Sequence, residues 1–387
     1  MDQQQYIRFW PFLQEVPDPR DRKGCRHAWS FLLALICIAL VSGQKQVCAI
    51  AHWCYLHGDE LRAILPDSSS RIPSPSTFYR VLRQVDMDAL EARVSAYGQA
   101  MDATEASYGA VKGAEDSHTY RGQSLDGKVI RGAEAHGQAM HLLGLVRHES
   151  GTILGQMHIA EKRNEISMSS VLMEQRDLTG TVTTMDAMLT QRKLAKQLLA
   201  QHGHYLMEVK DNHAELKEAI ETWFDSEPWP VALEDRETYC YENQGHGREE
   251  RRTTTTSSAL CTYLDWPGGQ QVIRRICERL HQGQLLSREV HYGITSLSRE
   301  QAGPDAIETL WRRHWTIENQ VHYVRDETFG EDRGQVHVGH TAQALSALRN
   351  AIMTALRHHG WSNLAAALRY HQARLQETLQ LVGIPAS

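Results

Sequence analysis

The chain has 387 residues, 41% hydrophobic and 23% charged, so it can bury a large core and is neither a disordered nor a fibrous sequence. A formal net charge of −6 and a pI near 6.4 exclude a polycation that simply coats nucleic acid, although local basic patches can still meet phosphates. Seven cysteines, odd in number and without a CxxC pair, indicate neither a disulfide framework nor a zinc ribbon, and a reducing cytoplasm is the expected location.

Residues 1–95 read as a small helical module. A basic motif, DPRDRKGCRHAW, precedes the apolar run FLLALICIALV at 31–41. That run is well short of the roughly 20 residues of a membrane span. It follows a charged segment and carries no clear signal-peptidase site, so it is expected to be a buried helix, with no membrane association. In CAIAHWCYLH, helical geometry turns Cys48 and His52 one way and Cys54 and His57 largely the other, against a tetrahedral zinc site. The segment RIPSPSTFYRVLRQVDMDALEA has two prolines, Ser76 as an expected N-cap and an amphipathic helix. It suits the second helix of a helix-turn-helix that reads DNA, with a helix packed within its own module as the alternative. Residues 96–123 are small and polar and read as a linker.

Three short strand-like runs follow, SLDGKVIRGA, HLLGLVRHE and ILGQMHIAE. Next come a helix (EISMSSVLMEQRDL), a strand (VTTMDAM), a helix (TQRKLAKQLLAQHG) and a strand (YLMEVKD). This order predicts an α/β domain over 124–358, a mixed sheet flanked by helices. A β-rich insertion is expected at about 212–305, and a helical tail at 359–387.

Three carboxylates stand out. Asp126, in SLDGK, falls near the end of the first strand run, where it either projects into a site or forms an Asp-Gly turn. Asp186 ends the VTTM strand and doubles as a helix-entry aspartate. Glu318 lies in RRHWTIENQVHYVRDETFGED, 312–332, where helical steps put His314, Glu318, His322 and Arg325 on one face beside an Ile317, Val321, Val324 stripe. A solvated face is the alternative, made less apt by Trp311 and Trp315. Two strands and a helix delivering three carboxylates suit two-metal phosphoryl transfer, since magnesium prefers oxygen ligands. Two ions about 3.5–4 Å apart stabilise the attacking and leaving oxygens. Arg248, Arg251 and Arg252, with His246, form a basic cluster suited to phosphates or a solvated loop, and Lys128, Arg131, Lys162 and Lys210 are weaker phosphate contacts.

Taken together, DGKVIRGA, EKRNEIS, VTTMDAMLTQRKLAKQLL, YLMEVKDN, HGREERRT and HWTIENQVHYVRDETFGED resemble the ISAs-type, H-repeat-associated insertion-sequence transposases of the DDE superfamily. DPRDRKGCRH resembles that family's associated N-terminal domain, for which DNA binding is the implied role. The resemblance covers about residues 10–358 and implies a ribonuclease-H-like fold with Asp126, Asp186 and Glu318 as catalytic metal ligands. It implies two Mg2+ ions, for which Mn2+ can substitute, and cleavage and strand transfer of DNA with no nucleotide cofactor. Terminal inverted repeats and target DNA would be its partners, and a homodimer on DNA its working form, associated with the nucleoid. In the wider group a tyrosine, an arginine and a lysine stand seven before, four before and seven after the glutamate, positions held here by Trp311, His314 and Arg325. Arg325, His314 and His322 are thus expected to face DNA. The alternatives are a ribonuclease-H-like nuclease without strand transfer and a domesticated DNA-binding protein.

Overall fold

The computed structural model describes residues 7–109, 120–159, 165–226, 235–334 and 339–385, apart from 22, 24, 66, 70, 136–137, 175 and 246–247. The chain forms two compact units. The first takes Met1–Lys112, Gly127–Lys162 and Thr316–Ser387, the second Gly113–Asp126 and Arg163–Trp315.

The first unit opens with helices α1 (Trp10–Gln14), α2 (Trp29–Val41), α3 (Val47–Leu56), α4 (Gly58–Ile64), α5 (Pro75–Gln84) and α6 (Met87–Gly109). Every residue of α2 from Phe31 to Val41 is buried, as its all-round apolarity requires. No helix among the described residues is long and apolar enough to cross a membrane. On α3, Cys48 is exposed and Cys54 buried, so the two do not face a common site. Helix α5 starts two residues ahead of expectation, with Ser74 at the cap, because Pro75 is pre-set for the first helical position. Helix α6 carries on through 96–109, where an irregular linker was expected. Its small residues hid the anchors Val94, Tyr97 and Met101, which are buried. Residues 110–119 lie outside the described residues.

Strand β1 (Arg121–Ala135) enters this unit at Gly127, followed by β2 (Gln138–Arg147) and β3 (Ile153–Ile159), with β2 between β3 and β1. The helix Thr341–His358 is buried from Thr341 to Leu356, and helices Leu364–Gln372 and Leu375–Val382 follow it. These C-terminal helices share one apolar core with the N-terminal ones, Leu345, Leu348 and Ile352 joining Phe31, Ile36, Phe78 and Tyr97. Chain-terminal segments far apart in sequence therefore complete each other.

The second unit holds the first half of β1 with α7 (Glu165–Met173), β4 (Thr181–Met185), α8 (Arg192–Ala200), β5 (His204–Val209) and α9 (Ala214–Asp225). Two long hairpins follow, β6 (Glu237–Gly245) with β7 (Arg248–Ser257), and β8 (Gln271–His281) with β9 (Gln284–Thr295), before the helix Pro304–Arg313. The strands lie in the order β1-β4-β5-β9-β8-β7-β6. β1, β4 and β5 run parallel, and the remaining pairings are antiparallel. This is a large mixed sheet flanked by helices. The expected insertion opens with α9 rather than with a strand, and its hairpins extend the sheet because β9 pairs with β5.

Candidate metal centre

In the second unit, β1 pairs with β4 in parallel from Arg121↔Thr181 to Leu125↔Met185. The next residue in each segment is a predicted carboxylate. Asp126, within β1 just past its last pairing with β4, and Asp186, just past the carboxyl end of β4, therefore stand side by side where the parallel pairing stops. At Asp186 this is the strand end at which open α/β sheets present their ligand sites. β4 is wholly buried, which fixes the height at which Asp186 emerges. Asp186 also serves the turn that follows, its Oδ1 accepting the Leu189 N–H at 3.1 Å. The helix-entry and site readings of this residue are compatible, since a second carboxylate oxygen is available.

Glu318 belongs to the first unit, on a π-helical stretch covering Ile317–His322 and Val324–Thr328. The wider turn replaces the α-helical spacing assumed from sequence, and such stretches occur frequently at functional sites. Ile317 and Val321 are buried, while the Glu318 side chain is half-exposed. The nearly buried His322 places Nδ1 2.9 Å from Glu318 Oε2. That hydrogen bond, against the opposing effect of partial burial, holds the Glu318 carboxyl below the usual carboxylate range. Burial pushes His322 down and, together with the Arg325 and Lys128 charges, favours a neutral imidazole. A neutral ring with its proton on Nδ1 donates to the carboxylate, leaving Glu318 an anionic oxygen donor suited to a hard cation.

The expected DNA-facing cations are differently disposed. Arg325 is buried, donating to Glu331 Oε2 at 2.7 Å and Gln156 Oε1 at 3.2 Å. Lys128 is buried too, with Nζ 2.6 Å from Asp326. Their charges are neutralised inside the protein, so neither stands at the surface as a phosphate contact. Arg251 pairs with Glu242 at 2.8 Å and Arg252 with Glu250 at 2.6 Å, so the basic cluster carries its own counter-charges across β6 and β7. The Arg248 side chain, His246 and Lys162 lie outside the described residues. Lys210 is more than half-exposed, 3.1 Å from Glu208. Arg131 is exposed, with Nε 4.0 Å from Asp332. His314, in the second unit, is turned to the strands, its Nδ1 3.0 Å from Thr184 Oγ1.

The model of the family described as "Transposase DDE domain" matches residues 116–355, and that described as "DDE_Tnp_1-associated" matches 10–97. The chain belongs to the DDE transposase family. It is 25% identical over 355 residues to the "Putative transposase YncI" of Escherichia coli O157:H7, covering 89% of this chain and 86% of that one. It is 24% identical over 349 residues to the "H repeat-associated putative transposase YhhI" of Escherichia coli K12, covering 88% of each. Membership of the DDE family implies use of a divalent metal.

One carboxylate of this DDE-family chain escaped the sequence reading. The β4–β5 register, Met185↔Met207, puts Glu208 beside Asp186 in the next strand. Glu208 accepts from His291 Nδ1 at 2.8 Å and pairs with Lys210. Burial raises its affinity for a proton, but those two partners outweigh it and hold the carboxyl below its ordinary value. The available signal was a lone acid in the apolar run YLMEV, a position a buried strand leaves charged only when a partner comes from elsewhere.

Proposed function

We propose that this chain is a DNA transposase of the insertion-sequence type, with a ribonuclease-H-like catalytic domain in which Asp126, Asp186 and Glu318 hold two Mg2+ ions, replaceable by Mn2+. The observation that carries this reading is the β1–β4 register, whose last pair, Leu125↔Met185, is followed in each segment by an aspartate, in a chain of the DDE family. The parallel β1, β4 and β5 and the ionised Glu318 support it. When bound, the ions supply Lewis acidity and stabilise charge on the attacking and leaving oxygens.

The proposed chemistry is a hydrolysis followed by a transesterification. In the first, a water oxygen bonds to phosphorus at the element end, the bond to the 3′ oxygen breaks, and that oxygen takes the proton. In the second, the freed 3′-hydroxyl loses its proton and bonds to a target phosphorus, the bond to the target's own 3′ oxygen breaks, and that oxygen takes up a proton. No nucleotide cofactor is consumed. His322 keeps the Glu318 carboxylate ionised and fixed in direction. The N-terminal helices α1–α6 are proposed to bind the terminal inverted repeats, and joining of two ends calls for a homodimer on DNA.

The test is cleavage and joining of DNA carrying the gene's flanking ends, with Mg2+, in wild type and in Asp126→Asn, Asp186→Asn and Glu318→Gln. Each variant is expected to lose at least ~100-fold in rate while staying folded. Undiminished activity in any of the three refutes the assignment of that ligand. Cutting without joining by the wild type favours a nuclease.

A further inference from the structure

Ser124 and Thr184 are register partners one residue in from Leu125 and Met185, and both are buried. Both reach the same residue of the same unit. Ser124 Oγ donates to the His314 carbonyl oxygen at 2.9 Å, and Thr184 Oγ1 lies 3.0 Å from His314 Nδ1. Thr184 Oγ1 also donates its single proton to the Gln123 carbonyl, at 3.2 Å. His314 Nδ1 must then carry a proton and donate it to Thr184. Backbone and ring of one histidine are thus tied to the two strands whose pairing is followed by Asp126 and Asp186.

The place of this histidine in the chain gives the contact its meaning. His314 caps the α-helical segment Pro304–Arg313, its N–H reaching Leu310 and Trp311. The π-helical stretch begins at Ile317. Glu318 is four residues on, about one helical turn away.

We infer that Ser124, Thr184 and His314 form a two-point clamp by which the strands bearing the aspartates set the start of the segment bearing Glu318, making His314 a positioning residue for the reaction. This rests on the metal-site reading proposed above. It gives His314 a duty other than the phosphate contact expected from its place four before the glutamate. Groups that orient metal ligands from behind affect metal affinity or activity by about 10–100-fold when removed, and the clamp belongs in that range.

The experiment measures Mn2+ binding to the full-length protein, by the electron paramagnetic resonance signal of free Mn2+, alongside the Mn2+ dependence of DNA cleavage. Thr184→Val keeps the shape of threonine but removes the hydroxyl, Thr184→Ser keeps the hydroxyl, and His314→Phe keeps a ring without the donor. Thr184→Val and His314→Phe are expected to weaken Mn2+ binding by about 10–100-fold with DNA affinity unchanged, and Thr184→Ser to restore near-wild-type binding. Circular dichroism and the melting temperature establish that each variant is folded. Unchanged Mn2+ binding in folded Thr184→Val and His314→Phe overturns the clamp, as does an equal loss in Thr184→Ser. Failure of the underlying metal-site reading shows differently, as Mn2+ binding that survives Asp126→Asn and Glu318→Gln.

Discussion

Arg325→Ala separates a phosphate contact from an internal strut. In the structure the Arg325 side chain shares the Glu331 carboxylate with Arg349, whose Nη1 is 2.9 Å from Oε1. All three side chains are at most 5% exposed, so water cannot replace a missing partner. Removing one member of a buried ion pair costs about 3–5 kcal/mol, because the remaining charge loses its compensation. Here Arg349 remains on Glu331, and Gln156 Oε1 keeps donors from Ser346 and Asn350, which places the loss nearer ~3 kcal/mol. At roughly 2–4 °C per kcal/mol, the expected fall in melting temperature is on the order of 10 °C. Calorimetry reads that directly. A salt titration of DNA binding supplies the other half, since each phosphate contact contributes about 0.9 to the slope of log K against log salt. The expected result is a large stability loss with an unchanged slope. A slope reduced by about 0.9 with little change in melting temperature would refute the internal role.

Further outcomes follow from other buried groups. Glu91 accepts from Gln156 and Gln343, but burial dominates and raises its carboxyl to about 7. Its folded value exceeds the ordinary 4.5, so stability from this group is full below about pH 4.5 and lost as pH rises through about 7. Glu91→Gln should flatten that decline, gaining about 3 kcal/mol at pH 8, as read from denaturant unfolding at pH 5 and pH 8. A β-carbon at Gly98 of α6 would clash with the backbone carbonyl of Ile153 in β3. Gly98→Ala should therefore cost at least about 1–3 kcal/mol despite its better helix propensity, and a stabilised variant in thermal melts would contradict that packing. Mg2+ is expected to raise the melting temperature of the wild type but not of Asp126→Asn, and chelation should abolish cleavage reversibly. An identical Mg2+ response in the two proteins would count against the site.

The alternation of short apolar runs and helical periods made the path from β1 to β5 legible, because each segment's burial follows its own period. Asp126 was expected near a strand end but lies inside β1, which runs on to Ala135 after its pairing with β4 stops, and the register that aligns it with Asp186 is a tertiary fact. The π-helical stretch left no mark in the sequence, since a residue stepping pattern read at 3.6 per turn cannot reveal where the backbone widens. Charge was the least legible property. Arg251 and Arg325 read as candidate phosphate contacts, whereas strand pairing sets Arg251 beside Glu242 and a turn brings Glu331 to the buried Arg325.

The shared core of the first and last helices bears on how the protein is made. Helix α2 leaves the ribosome early, but the C-terminal segment that completes its surroundings starts at Thr316, about 275 residues after Val41. At roughly 5–20 residues per second, that is a wait of about 15–55 s during synthesis. Throughout it a helix apolar from Phe31 to Val41 lacks part of its final cover, so nascent chains of this protein should be clients of ribosome-associated chaperones, and truncation before Thr341 should yield insoluble product rather than a smaller folded domain.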